Sequence, residues 1–416
     1  MNSLIAVIGA IATLGGAAAA QPVMVVGTGD PNVDVPAVQA AVDQGGQIVL
    51  MGHFSFDRPP TTWFEHVNGR TVLVSKQVAI SGTQDGNGEM TTIQGGDIPF
   101  AVDAFGAHVT IQRLRFVRPK EYGILVRAVS GLVIANCRID GVEPLPDPTT
   151  PTGSKIGNGI YVGTTPTLFP PTAAEPGQPE NVSGTLSIFN NNIDVGGTAG
   201  DNTIGMSVFA VGKSPDQEVD LYIFGNNIRN ITERVINVDQ IGGRAHIEQN
   251  VITTGTITGP TTGVTPDAIH ALGSGSYLIA HNSIVSEWAT GAGIRVQGNA
   301  GLSEAGAVVV DNDVTMSAPE GTVFGANSAG IEIRGIAQGN MVMNNRIRGR
   351  ARAALAVVAP GTGTTGNNTF VSNYLDGFQS SLADVFVDAG VTNTVVVGRQ
   401  ISVDDHGGGT VVVPMP

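Results

Sequence analysis

The amino-acid sequence predicts an all-β protein in which short parallel strands wind into a solenoid. Three observations favour this fold class: a composition rich in glycine and poor in charge, an asparagine motif that recurs along the chain, and a second motif in which apolar and polar residues alternate. The 416 residues include 57 glycines, 41% hydrophobic residues and 13% charged residues. That hydrophobic content excludes intrinsic disorder, and the scarcity of Glu and Lys argues against a helical bundle.

The asparagine motif, apolar-x-x-Asn-x-apolar, sets the repeat of the solenoid. Its copies include residues 188–193, 279–284 and 342–347, and the shortest spacings between copies are 23 and 24 residues. Equivalent strands of successive coils pair about 4.8 Å apart, so the central residues stack at a bend, where their amides can bond to the coils on either side. The predicted column is Leu114, Cys137, Asn191, Asn226, Asn250, Asn282, Asn312, Asn345 and Asn373.

The second motif, Gly-Ile-x-Val, follows the first and predicts a half-buried strand. Its x position points away from the core, toward solvent. Read down the stack, this outward column is Leu125, Tyr161, Ser207, a poorly registered coil near residues 236–237, His270, Arg295, Glu332 and Ala356.

An amphipathic helix is predicted at residues 34–45, before the first strands. Asp34 and Pro36 are typical of a first helical turn, and Gly45 and Gly46 of a helix end. Such a helix would close the open end of the solenoid and block edge-on aggregation.

The opening of the chain also carries a family resemblance. Residues 34–47, 79–82 and 91–96 resemble the start of right-handed parallel β-helix proteins of the pectate lyase-like superfamily. With the repeats, the resemblance covers roughly residues 30–400 and implies about ten to twelve right-handed coils. It leaves the activity open, because the superfamily includes lyases, hydrolases, epimerases, esterases and binding proteins.

The first residues predict export. Residues 4–20 are apolar and end in four alanines, which is typical of a signal peptide at residues 1–20 with cleavage near Ala20. The alternative, an uncleaved anchor, would need a longer apolar run. We therefore expect a single β-helix domain at residues 21–416, secreted or periplasmic, with no membrane span after cleavage.

Charge and cysteine content limit the possible partners. A net charge of −14 repels a phosphate backbone, so no nucleic acid partner is expected. The single cysteine, Cys137, excludes an intrachain disulfide and cannot form a thiolate zinc site alone. No loop repeats Asp at calcium-ligand spacing, so no cofactor or metal is predicted, although calcium stays open.

The candidate catalytic groups lie in the middle of the outward column. A neutral histidine can abstract the C5 proton of a uronic acid, an arginine can neutralise the carboxylate of the sugar, and a tyrosine can act as the acid. His270, Arg295 and Tyr161 are the predicted catalytic residues, although Tyr161 lies several coils from His270. Predicted to bind substrate are Glu332, Arg334, Gln297, Asp267 and Trp288.

Four insertions are expected to wall a substrate groove beside this strand: residues 140–158, 164–184, 253–266 and 316–328. The sequence therefore favours an enzyme that acts on an acidic polysaccharide by β-elimination or epimerisation. Hydrolysis is less favoured, because no cluster of aspartates marks the strand.

Two other functions stay open. One is a non-catalytic surface or glycan-binding scaffold, in which Arg295 and Glu332 form a cross-strand ion pair and nothing more. The scarcity of aromatic residues supports it, since only Trp63 and Trp288 could offer an indole platform to a sugar. The other is an enzyme acting on a small exported metabolite. The sequence does not give the oligomeric state.

Overall fold

A computed structural model describes residues 21–57, 71–143, 145–146, 155–163, 182–196, 202–209, 211–212, 218–255, 266–273, 275–298, 306–359, 365–399 and 401–415. They form a right-handed parallel β-helix, as the sequence predicted. Among the strands of the described residues, only Leu145–Pro146 pairs antiparallel, with Lys155–Gly163. The predicted signal peptide lies outside the described residues. In the part of the chain that the structure describes, no helix has the length and hydrophobicity needed to cross a bilayer.

Each coil contributes strands to three parallel ladders, because the chain turns between each ladder and the next. The first ladder contains the Gly-Ile-x-Val strands: Val72–Val74, Phe100–Gln112, Tyr122–Ala135, Lys155–Gly163, Asn202–Phe209, Arg234–Asp239, Asp267–Leu272, Ala292–Gly298, Ala329–Gly335, Arg346–Val358, Phe378–Val387 and Val403–Asp405.

The second ladder follows the first in each coil and leads into the asparagine bend. Phe100–Gln112 and Tyr122–Ala135 are long enough to belong to both ladders. The other strands of the second ladder are Val23–Val26, Gly46–Met51, Val78–Gly82, Val182–Phe189, Val219–Phe224, Gly243–Glu248, Ser276–Ala280, Gly306–Val310, Met341–Met343, Thr369–Val371, Val395–Gly398 and Val411–Pro414.

The third ladder begins after the bend and is made of short strands. Its last members are the first parts of Arg346–Val358 and of Phe378–Val387. The others are His53–Ser55, Thr92–Gln94, Arg115–Val117, Arg138–Asp140, Asn192–Asp194, Asn227–Arg229, Val251–Thr253, Ser283–Ser286 and Asp313–Ser317. A separate parallel pair joins Thr365–Gly366 to Val391–Thr392.

Side chains that alternate inward on all three ladders fill the interior with stacked Ile, Val and Leu. On the first ladder one inner column contains no polar atom and is fully buried along its length, which ties every coil to the next by apolar packing. Its members are Ile124, Ile160, Met206, Ile236, Ile269, Ile294, Ile331, Leu355 and Val385.

The predicted asparagine column is confirmed. The side-chain nitrogen Nδ2 of Asn226 donates to Oδ1 of Asn250 at 3.0 Å, and Nδ2 of Asn250 donates to Oδ1 of Asn282 at 2.9 Å. Each Nδ2 also donates to a backbone carbonyl, as from Asn226 to Ile188 at 2.9 Å. Buried amides at the bend are thus satisfied by neighbouring coils and fix the register between them.

The residue before each column member has a left-handed backbone, with φ between 54° and 64°. This conformation turns the chain sharply between the second and third ladders, and Asn, Asp and Gly tolerate it best. The nine residues that adopt it are Arg113, Asn136, Asn190, Gly225, Gln249, His281, Asp311, Asn344 and Ser372.

A second, shorter asparagine column was not predicted. Nδ2 of Asn340 donates to Oδ1 of Asn368 at 2.8 Å, and the backbone nitrogen of Ala307 donates to Oδ1 of Asn340 at 2.9 Å. Gly339 and Asn367, directly before these asparagines, are again left-handed. Two copies are too few to stand out as a repeat in the sequence.

The helix at the N-terminal end spans Pro31–Val42, so it begins three residues before the predicted range of 34–45. Asp30 caps its first turn, and the proline that follows suits the first helical position. Asp34 is buried instead at the helix–strand contact, where its carboxylate accepts a hydrogen bond from the backbone nitrogen of Ser55 at 2.8 Å. This bond fastens the helix to the first coils.

Candidate functional site

The outward column of the first ladder has the predicted register. His270 pairs with Arg295, and Arg295 pairs with Glu332, on three successive coils. The coil that the sequence left unregistered places Asn237 between Ser207 and His270. The whole column is Leu73, Ala101, Leu125, Tyr161, Ser207, Asn237, His270, Arg295, Glu332, Ala356, Phe386 and Asp404.

The middle of this column does not face solvent, contrary to the prediction. His270 and Arg295 are each 2% exposed, and Glu332 is 0% exposed. These polar side chains lie against one another across the coils, which replaces the contact with water that an outward strand position normally provides. Arg334 and Gln297 flank the column and are half-buried, so they form the more accessible edge of the site.

Arg295 is held between two buried carboxylates. Its Nη1 lies 2.8 Å from Oδ2 of Asp267, and its Nε lies 3.0 Å from Oε1 of Glu332. The Nε of Arg334 approaches the same Glu332 oxygen at 2.7 Å. The backbone nitrogen of Ala292 donates to Oδ1 of Asp267 at 2.9 Å. The cross-strand ion pair foreseen for Arg295 and Glu332 is therefore present, within a larger network.

The hydrogen bonds around His270 define its tautomer. Its Nδ1 lies 3.0 Å from Oδ1 of Asn237. Arg234 donates to that same oxygen at 3.2 Å, and Nδ2 of Asn237 donates to the hydroxyl of Ser207 at 3.2 Å. Because Asn237 Oδ1 can only accept, Nδ1 of His270 carries the ring proton, and Nε2 keeps its lone pair.

Burial sets the protonation states of the two central titratable groups. Burial lowers the pKa of His270 well below its usual value of 6.5, and the positive charges of Arg234 and Arg295 lower it further, while a hydrogen bond with Gln297 acts in the opposite direction. The imidazole is thus neutral at neutral pH. Burial raises the pKa of Asp267 to about 6, against the effect of Arg295.

His270, Arg295 and Glu332 each have one buried polar atom with no hydrogen-bond partner of normal geometry among the described residues. The three atoms are Nε2 of His270, Nη2 of Arg295 and Oε2 of Glu332. They belong to consecutive coils about 4.8 Å apart, and leaving each unpaired costs about 1–3 kcal/mol. An acceptor, a donor and a second acceptor in a row are suited to a ligand that carries hydroxyl and carboxylate groups.

Tyr161 and Trp288 are not part of this network. Tyr161 lies three coils before His270, about 14 Å along the axis. Its ring packs edge-on against Tyr122 at 5.6 Å between centroids, and burial raises the pKa of its hydroxyl. Trp288 is 2% exposed within the hydrophobic core and offers no face to a ligand there. Trp63 lies outside the described residues.

Arg234 and Asn237 belong to the site but were not predicted as site residues, and Ser207 was placed in the outward column without a role. The signal was Val235-Ile236-Asn237-Val238, a copy of the Gly-Ile-x-Val motif with valine in place of glycine. The substitution hid the register of the coil, and with it the groups that orient His270.

Of the four predicted groove-forming insertions, only residues 316–328 are described throughout. Asn327, at the end of that loop, accepts a hydrogen bond from Nη2 of Arg334. Taken together, most residues of the other three insertions lie outside the described residues. Within the described ranges, no group of three or more His, Cys, Asp or Glu side chains is arranged to hold a metal ion.

Comparisons with known proteins identify relatives in fold but not in sequence. No family model matches the chain, and no curated protein matches it. The tailspike protein of E. coli bacteriophage HK620, solved with a pentasaccharide, is 11% identical with a TM-score of 0.52, over 92% of this chain and 75% of that chain.

Two enzymes also match over most of their length, with lower TM-scores. DFA-IIIase from Arthrobacter chlorophenolicus A6, solved with DFA-III, is 12% identical with a TM-score of 0.49, over 94% of this chain and 98% of that chain. A PL6 alginate lyase, solved with a trisaccharide, is 12% identical with a TM-score of 0.46, over 90% of this chain and 85% of that chain. At such low identity the tailspike match concerns architecture alone, and the architecture it supports is the right-handed parallel β-helix.

Proposed function

We propose that this protein acts on a carbohydrate that carries a carboxylate, and that it removes the proton from the carbon next to that carboxylate. The observation that carries the proposal is the state of His270: a neutral, oriented imidazole whose Nε2 has no hydrogen-bond partner of normal geometry among the described residues. The unpaired Nη2 donor of Arg295 lies one coil away. A base and a guanidinium donor at this separation are the two groups that such a reaction requires.

The chemistry follows from these two atoms. His270 Nε2 takes the C5 proton of the uronate, and the electron pair left on C5 moves into the carboxylate, which becomes an enediolate. Nη2 of Arg295 donates to an oxygen of that group and stabilises its growing negative charge. In β-elimination the C4–O bond then breaks as a C4–C5 double bond forms, and the departing oxygen takes up the proton held on His270 Nε2 or one from water. In epimerisation water supplies a proton to the opposite face of C5, and His270 loses its proton to solvent.

Asn237 and Arg234 act through His270. They hold its Nδ1 proton in place, and Arg234 together with Arg295 keeps its pKa low. The carbohydrate class is supported by the pentasaccharide bound to the HK620 tailspike on the same fold. Export to the periplasm or beyond, where such polymers occur, belongs to the same proposal.

Incubation with a panel of uronate polysaccharides tests the proposal. Elimination is followed by the ultraviolet absorbance of the unsaturated product, and epimerisation by deuterium uptake at C5. We expect His270→Gln to lower the rate about 10²–10⁴-fold, the usual contribution of a general base. The control is His281→Gln, since His281 is an exposed bend residue and Gln249 occupies the equivalent bend position. Unchanged activity in His270→Gln would rule out this base.

Glycoside hydrolysis is the second candidate, favoured by the raised pKa of Asp267 and the presence of Glu332 across the same guanidinium. A carboxyl that stays protonated near pH 6 can act as a general acid, and a second carboxylate can complete the pair. Hydrolysis would release reducing ends without an unsaturated product or deuterium uptake, and the activity would be lost in Asp267→Asn. If the protein converts none of the polymers, the result would favour the non-catalytic, glycan-binding scaffold.

A further inference from the structure

The outward face of the second ladder is apolar over many coils. Two adjacent outward columns make up this face, which we call the apolar stripe. The first is Ser187, Tyr222, His246, Leu278, Val308, Met341, Thr369, Val395 and Val411, and the second is Phe189, Phe224, Glu248, Ala280, Val310, Met343, Val371, Val397 and Val413.

The stripe lies on the side of the strands that faces away from the core. Val308, Met341, Val411 and Val413 are between 39% and 52% exposed. At the other end of the stripe the rings of Phe189 and Phe224 stack at 4.8 Å between centroids. An outward strand face on a solvated sheet normally carries polar side chains, so a face that is apolar apart from Ser187, the His246–Glu248 pair and Thr369 indicates a contact surface.

Elsewhere the outward positions are mixed. On the first strand of the same ladder Met24 and Val26 are 61% and 64% exposed, and the coils that follow carry the polar Ser81, Thr110 and Gln112. On the third ladder they include Asp194 and Arg229, which form an ion pair at 2.8 Å, and Asp313. Among the later coils, the long run of outward apolar side chains is therefore found on the second ladder and not on the third.

The size of the stripe fits a modest protein interface. Nine strands at about 4.8 Å give a length of about 38 Å, and two columns with their side chains span about 13 Å. The area is therefore about 500 Å² on one copy and about 1,000 Å² for two, near the lower limit for a specific interface. It also lies at the upper end of what a monomer usually exposes.

We propose that the apolar stripe is the surface through which this chain binds a second copy of itself. Each copy has a net charge of −14, so two copies repel one another over most of their surfaces. From Leu278 to Val413 the two columns contain no charged residue, which makes this a face where two copies can approach without that repulsion. A two-fold contact pairs the stripe with itself, and flat faces of Val and Met pack as two sheets do.

Sedimentation velocity of the full chain tests the proposal. We expect the wild-type protein to have twice the monomer mass at micromolar concentration, and Val308→Asp and Met341→Asp to shift it to the monomer. The matched control is Val251→Asp, because Val251 is 50% exposed on the third ladder. Circular dichroism and Tm establish that each variant is folded. A monomeric wild type, or a dimer that both stripe variants leave intact, would overturn the proposal.

Disulfide cross-linking through an engineered cysteine gives an independent readout. Gly306–Val310 is the fifth of the nine strands in the stripe, so a two-fold contact brings Val308 close to its own copy. The native Cys137 does not interfere, because it is buried and burial raises the pKa of its thiol to about 12. Under mild oxidation Val308→Cys should form a disulfide-linked dimer and Val251→Cys should not. The reverse pattern would contradict the stripe as the contact.

Discussion

At the scale of single residues, the site depends on neighbours that fix a protonation state. His270 is neutral because it is buried beside Arg234 and Arg295, and it presents Nε2 because Asn237 accepts the proton of Nδ1. Arg295 is less suited to substitution, since its removal would take away the guanidinium that contacts the buried Asp267, leave Glu332 with Arg334 alone, and destabilise the fold.

The low pKa of His270 predicts an unusual pH profile. A base with a pKa well below 6.5 stays unprotonated in mild acid, so kcat/KM for proton abstraction should be unchanged from about pH 7 to about pH 6. Arg234→Gln removes one positive charge that lowers the pKa of His270. The acidic limb of the kcat/KM profile of this variant should therefore move to higher pH than in wild type. A limb at the same pH in wild type and variant would show that Arg234 has no part in setting this base.

Asp267 predicts a stability effect of defined sign. Its folded pKa of about 6 lies above the ordinary value of 3.8, so the folded chain binds this proton more tightly than the unfolded chain does. Its contribution is therefore most favourable below about pH 4 and falls as the pH rises through 6, by about 3 kcal/mol in total. Asp267→Asn does not ionise, so its free energy of unfolding relative to wild type should increase by about this amount between about pH 4 and about pH 7. Denaturant titrations at both pH values measure it, and a constant difference would contradict the shift.

At the scale of the structural element, the bend with its asparagine column is the part of the molecule that sequence alone could place. The asparagine recurs once in most coils because the buried bend needs a side chain that can both donate and accept hydrogen bonds. Asn226 and Asn250 therefore revealed the register between whole coils. The ionic network was harder to foresee. Asp267 reaches Arg295 from a different outward position of the strand, and the burial of both depends on packing that no strand pattern encodes.

The column also predicts a sharp contrast between two adjacent asparagines. Asn226 accepts two hydrogen bonds from Asn191 and donates to Ile188 and Asn250, whereas Asn227 is exposed on the third ladder. Asn226→Ala should lower the free energy of unfolding by about 3 kcal/mol, since it leaves buried groups unpaired. Asn227→Ala should change it by less than about 0.5 kcal/mol. Equal effects in denaturant unfolding would mean that the column adds no stability.

At the scale of the whole molecule, the candidate site and the apolar stripe occupy different ladders of the coil. The candidate site lies on the first ladder and the stripe on the second, so self-association leaves the strand of His270 uncovered by the stripe contact itself. The overall winding was predictable because the same short motif recurs at the bend of successive coils, although insertions vary the spacing between copies. The stripe was not, since apolar residues on an outward face look the same in sequence as those of the core.

Association through the stripe should become stronger with salt. Two copies of charge −14 repel at long range, and raising the ionic strength from about 0.01 M to about 0.15 M shortens the screening length from about 30 Å to about 8 Å. The dissociation constant of the dimer, measured by sedimentation, should fall over this range. A rise would indicate that attraction between charges, rather than apolar contact, holds the copies together.

The asparagine column has one more property, which concerns direction. From Asn191 to Asn345 every amide donates to the next one toward the C-terminus, and Asn373 ends the row. The seven amide dipoles are aligned head to tail and polarise one another. The row therefore has one net dipole, with its positive end at the C-terminal coils. An amide in its middle is strengthened from both sides and the last one from one side only, which makes the asparagines chemically alike but energetically unequal.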